Sequence, residues 1–301
     1  MARRHRRPAR LSPRARRTWL GVAMLAVLGP IAGVALGSAI DDVRDCQESV
    51  TLRVAAEPAI AGVLTDHAMD WSAAGVPVDG VCISVDVTAV DSASAAAALA
   101  DDAGIELDLG DADISDVDPF DVWVPNSLTW LSSFADAPGF FDERIDSVAE
   151  ADVGIAVPES ATVSGVLSEL PLALNDPRHD AVSLAVLRGA VGVVPFTPVI
   201  DRDGYDVMSL PDVLTYNAGD VEEPLMFIEP APPVPALDYP MLVLAELPSP
   251  SRVAADAFRS SLLSDDFPQR LPEFGFAPAG PYPQLPDAEE IAAAIELWDR
   301  R

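Results

Sequence analysis

The chain has no lysine. All 19 of its basic side chains are arginine, and they face 48 acids. Cysteines number only two and histidines three, too few and too scattered for a closed zinc set. Acids are missing before Asp41, and eight arginines lie between Arg3 and Arg17. The remaining 11 arginines meet all 48 acids, a balance of −37. A body that acidic repels phosphate backbones, which excludes nucleic acid as a partner. The G-x-S-x-G, H-E-x-x-H, Walker and dinucleotide motifs are also absent. His5 belongs to the arginine head, His67 to a helix and His179 to an Asn-Asp-Pro-Arg-His-Asp loop. Carboxylates are so common that a pair of them marks no glycosidase. Nine acids crowd 101–121, but counting from Asp111 there is no glycine at the sixth position and no acid at the twelfth, so an EF-hand is excluded. The expectation is a protein that is not an enzyme and uses no cofactor or metal.

Charge is missing from one more place, the 23 residues of 18–40 (TWLGVAMLAVLGPIAGVALGSAI). A bilayer core needs about 20 apolar residues in a helix. With arginines before it and acids after it, the segment predicts a cytoplasmic head at 1–17, a crossing at 18–40 and an extracellular body at 41–301. That makes the chain a single-pass cell-membrane protein if 18–40 is retained as an anchor. It is secreted if 18–40 is a cleaved signal, for which Gly37-Ser38-Ala39 offers a small-residue site. Cys46 and Cys82 both follow the span, where an oxidising compartment favours a disulfide between them.

The body alternates strand and helix patterns. Residues 49–56 (SVTLRVAA), 82–90 (CISVDVTAV), 121–124 (DVWV) and 152–158 (DVGIAVP) read as strands. Helical spacing covers 58–73, where Pro58 suits a first turn, and also 92–100 and 127–134. Further helices are predicted at 163–174, 181–189, 249–263 and 287–298. Further strands are predicted at 191–194, 224–229 and 241–245, the last after the proline-rich connector 230–240, and 274–278 reads as extended. The alternation predicts an α/β fold with a parallel sheet, and in such sheets ligands sit beyond the carboxyl ends of the strands.

The order of several segments resembles a type II periplasmic solute-binding protein. Those segments are VTLRVAAEPAI (50–60), GVCISVDVTAVDSASAAAAL (80–99), DVWVPNSLTWL (121–131), VGIAVPES (153–160), LDYPMLVL (237–244) and AADAFRSSLLSDDFPQRLPEFGFAPAG (254–280). The likeness is to the molybdate-type group and, within it, to actinobacterial substrate-binding and VWA domain proteins. No DxSxS metal motif of a VWA domain occurs here. The resemblance implies two lobes, about 46–150 with 241–280 and about 151–235, closing on a small-molecule ligand in the cleft between them. Carried over motif by motif, it implies a cleft lined by Glu57, Asp91, Ser92, Ser94, Pro125, Asn126, Ser127, Glu159, Ser160 and Tyr239. Hydroxyls and helix N-termini would hold an oxyanion in the molybdate-type relatives. This chain has Glu57 where the first serine is expected and Asp91 beside the second cluster, which argues for a cationic or neutral polar ligand, or for none. Two readings therefore stand: a solute-binding-like protein, and a ligand-free module that docks membrane or cell-envelope proteins. For Glu57 and Ser92, a purely local role capping helices also stands.

Overall fold

Alternation decides which face each strand buries, and two sheets result. The computed structural model describes Cys46 and residues 48–300, apart from 76, 108, 110–111, 113, 115–116, 136, 138, 164–165, 167–168, 192–198, 202 and 281–285. Strand β1 (Glu48–Ala56) pairs in parallel with β2 (Val81–Ala89) and with β3 (Val122–Val124). The chain returns much later as β10 (Leu237–Val243), antiparallel to both β3 and β4 (Asp146–Ala151), so the first sheet runs β2-β1-β3-β10-β4. The second sheet runs β7-β6-β8-β5-β9. It contains β5 (Val153–Pro158), β6 (Pro171–Ala173), β7 (Val199–Ile200), β8 (Tyr205–Ser209) and β9 (Leu225–Ile228). Both sheets are mixed: β10 runs against β3 and β4, and β5 runs against β8 and β9, while β6 lies parallel to β7 and β8.

Side chains alternate across the first sheet, as a period of two requires. Leu52, Val54 and Ala56 of β1, Val122 and Val124 of β3, and Tyr239, Met241 and Val243 of β10 enter one core. Ala55, Trp123 and Leu242, each one step along, enter another. The first core is shared with helix α1 (Pro58–Ala74) and with α6 (Ser249–Leu262). It continues without a break into the second sheet through Val153, Ile155, Val157 and Leu172. The second core packs under α2 (Ser92–Ala103) and the short α3 (Trp130–Ser133). Helix α4 (Ala181–Val191) joins the shared core by Ala181 and Ala185. The remaining helices are α5 (Leu210–Ala218), α7 (Asp266–Arg270) and α8 (Ala288–Asp299).

Cys46 and Cys82 are disulfide-bonded; Cys82 is the second residue of β2, opposite Ser49 of β1.

Three expectations change. Residues 171–173 of the predicted helix 163–174 form β6 instead, and β4 was not foreseen. The predicted strand at 191–194 begins on Val191, which ends α4, and its other residues lie outside the described ones. The single-pass membrane placement is corrected. Among the described residues no helix is long and apolar enough to cross a membrane. The longest of them, α1, has 17 residues and carries Asp66 and Asp70. The segment 18–40 itself lies outside the described residues.

Candidate functional site

Three loops meet where β1, β2 and β3 end. Parallel pairing sets Ala56 opposite Ala89 and Val124, so the next residue of each strand emerges at the same sheet edge. Glu57 follows β1, and its N–H is already given to the Val124 carbonyl at 2.9 Å. The Glu57 carboxylate reaches the loop after β2, where its Oε2 accepts the Ser92 backbone N–H at 3.0 Å and the Ser92 hydroxyl. The Asn126 N–H, after β3, donates to the same Ser92 Oγ at 3.2 Å. Asn126 Oδ1 in turn accepts the Trp130 indole N–H at 3.0 Å.

Asp91, and not Ser92, caps α2, because its Oδ1 accepts the Ser94 N–H at 3.0 Å. Glu57 precedes α1 without capping it through its side chain. Ser127 turns the other way. Asp238 Oδ1 accepts the Leu128 N–H at 3.0 Å and lies 3.4 Å from the Ser127 hydroxyl, while Ser127 Oγ accepts the Thr129 N–H. Tyr239 is 1% exposed, a core residue against Phe276 with ring centroids 5.1 Å apart. Ser160 is exposed, and its hydroxyl meets Glu223. The structure thus joins Glu57, Ser92 and Asn126 in one chain of bonds, with Asp91 and Ser94 on the adjoining turn. It pairs Ser127 with Asp238 and gives Ser160 a separate partner.

Burial dominates the electrostatics. It pushes the Glu57 carboxyl up to about 8, against the Ser92 hydrogen bonds and with help from the negative charges of Asp91 and Asp212. Asp212 and Asp238 are raised mainly by burial too, and their hydrogen bonds to Ser209 and to Leu128 oppose the shift. The Tyr239 phenol is raised well above its ordinary value, first by burial and then by Asp212 and Glu57, with a Ser209 hydrogen bond acting the other way.

Asp212, Asp238 and Ser209 were not anticipated as site residues. Ser209-Leu-Pro-Asp212 carried a readable signal, a capping-box spacing with proline in the first turn. The Ser209 hydroxyl accepts the Asp212 N–H at 3.3 Å and caps α5. Among the described residues no group of three or more metal-ligating side chains could hold an ion.

Chemically, the arrangement is a set of internal carboxyl groups accepting from internal donors. The first free N–H groups of α2 are directed at Glu57 and Asp91, and that of Leu128 at Asp238. A helix start in that condition has little left to offer an incoming oxyanion.

No family model and no curated protein matches the chain. Solved structures do. The periplasmic binding protein AfuA from Actinobacillus pleuropneumoniae, with fructose-6-phosphate bound, aligns with a TM-score of 0.55 at 11% identity, over 84% of this chain and 96% of its own. A ferric binding protein from Campylobacter jejuni gives 0.54 at 10% identity, over 83% and 98%. The sulfate-binding protein SubI from Mycobacterium tuberculosis gives 0.52 at 15% identity, over 84% and 91%. Identities this low speak to the fold alone, which is that of periplasmic solute-binding proteins. The narrower likeness to substrate-binding and VWA domain proteins finds no support in them.

Proposed function

We propose that this chain is a solute-binding-like protein whose cleft, at the ends of β1, β2 and β3, takes a small cationic or neutral polar molecule and rejects oxyanions. The observation that carries this reading is the Glu57 carboxylate accepting both the N–H and the hydroxyl of Ser92. An oxyanion would have to displace it and then lie against Asp91, a like-charge contact that becomes costly as water is excluded. A cation gains from Asp91 and favours the ionised form of Glu57. A neutral polyol can bond Asn126, Ser94 and the protonated Glu57 carboxyl. The fold favours a binding role over a catalytic one, since the three neighbours described are binding proteins.

A thermal-shift and calorimetric screen of amines, guanidines, sugars, molybdate, sulfate and phosphate tests it. A ligand at a hundredfold excess over its Kd adds about 2.7 kcal/mol to stability, which is a shift of several degrees. Members of the cationic or neutral set are expected to raise Tm and the oxyanions are not. Stabilisation by oxyanions alone refutes the proposal.

A second reading rests on a different observation. One apolar core runs unbroken from Val54 and Tyr239 of the first sheet to Ile155 and Leu172 of the second. A cleft sealed in this way suits a ligand-free module that binds another protein. If no small molecule in the screen stabilises the chain, this reading replaces the first.

A further inference from the structure

A cavity of about 290 Å³ has none of Glu57, Asp91, Ser92, Ser94 or Asn126 in its walls, though one of its lining residues, Trp130, is bonded to Asn126. Ligand pockets begin near this size, about 300 Å³. Four parts of the chain enclose it: the segment carrying Leu107 and Leu109, the turn at Thr129–Ser133, the start of α4 with Arg178, and one face of α8. Helix α8 is fixed in place by Ala294 and Trp298, buried against Leu184 and Leu187. Ile291 and Ile295, one turn apart on α8, are left to wall the cavity. Trp130, whose indole N–H is already committed to Asn126, lines it as well.

The one arginine on these walls is not a receptor for anions. Arg178 Nη2 donates to both oxygens of Asp299, at 2.8 and 2.7 Å, and Nη1 donates to Asp176 at 3.2 Å. Two carboxylates on one guanidinium make that corner net negative, and Glu106 adds a carboxylate to the lining. An anionic ligand would meet an excess of negative charge beside apolar walls. A ligand with no apolar part would leave Ile291 and Ile295 without an apolar partner in the cavity.

We propose that this cavity binds a small amine with an apolar body. The ammonium pairs with Glu106, and the hydrocarbon packs on Trp130, Ile291 and Ile295. This is a second site, and it does not depend on the reading of Glu57.

Titration calorimetry on the full chain with 2-phenylethylamine, 2-phenylethanol and 3-phenylpropionate tests the proposal. The amine is expected to bind about two- to fivefold more tightly than the alcohol, the worth of an ion pair to an exposed carboxylate such as Glu106, and the carboxylate is expected to give no saturable heat. Glu106→Gln should bring the amine down to the affinity of the alcohol. Ile295→Trp and Ser133→Phe, which fill the cavity from two different elements, should abolish binding while keeping the urea midpoint of the parent. The proposal is overturned if the amine gives no saturable heat, if the carboxylate binds as well as the amine, if Glu106→Gln leaves the amine-to-alcohol ratio unchanged, or if a folded filling variant still binds.

Discussion

Glu57 and Ser92 are 35 residues apart, yet one oxygen of the Glu57 carboxylate accepts both the N–H and the hydroxyl of Ser92. A donor pair suited to holding a ligand oxygen is satisfied from within. The carboxylate that does this is also buried, so its ionisation and the stability of the fold are linked.

The first prediction is the sign of that linkage. The folded-state pKa of Glu57 is about 8, above the ordinary 4.5. Between these values the folded chain binds more protons than the unfolded chain. The stabilisation is therefore complete below the ordinary value and is lost as pH rises towards about 8, with a slope of at most about 1.4 kcal/mol per pH unit. Urea midpoints measured across this window should fall for the parent. For Glu57→Gln they should fall less steeply, and parallel profiles would show that Glu57 is not the group responsible.

Asp121 and Arg53 should respond unequally to truncation. Asp121 Oδ2 accepts the Arg53 backbone N–H at 3.0 Å and its Nε at 3.1 Å, and Oδ1 accepts Nη2 at 2.8 Å. Asp121→Ala strands a backbone donor beside a guanidinium and should cost about 2 kcal/mol. The Arg53 side chain is 49% exposed, and Arg53→Ala should cost less than about 1 kcal/mol. Denaturant unfolding of the two variants measures the difference, and equal costs would contradict this account.

Gly154→Ala should destabilise the second sheet. A Cβ at this position would lie 2.5 Å from the Phe227 ring and 2.8 Å from the Ile228 carbonyl oxygen on the neighbouring strand. Overpacking of this kind costs about 1–3 kcal/mol. Adding Phe227→Leu should recover part of the loss, and a double-mutant cycle reads the coupling. Additive losses would mean that the ring is not the obstacle.

Much of the first sheet was legible because its signals are local. Pro58 marks the start of α1, and the alternation around Leu52 and Val54 marks β1. Parallel pairing then places Glu57 beside Ser92, since both follow the ends of adjacent strands. β4 was hidden, since Asp146 and Glu150 break the apolar run of DSVAEA and its burial comes from β10, more than 80 residues away. Asp238 was hidden for a related reason. It reaches Leu128 only because β10 returns antiparallel beside β3. The Ser209–Asp212 cap was readable in sequence, but its influence on Tyr239 depends on how the second sheet packs.

Reducing the disulfide, or replacing Cys46 and Cys82 together by serine, should cost about 3–4 kcal/mol for the loop of roughly 35 residues it closes. Chemical unfolding with and without reductant measures this. An unchanged midpoint would mean that the unfolded chain gains no freedom when the bond opens.

Asp152 alone separates β4 of the first sheet from β5 of the second, and its carbonyl oxygen accepts the Leu210 N–H at 2.9 Å. At this crossing the two sheets are joined almost as one rod, with the backbone torsions of a single residue between them. Any bending between the sheets here must twist this one residue, stretch the Leu210 bond and part the core that Ala151 and Val153 share on either side of it.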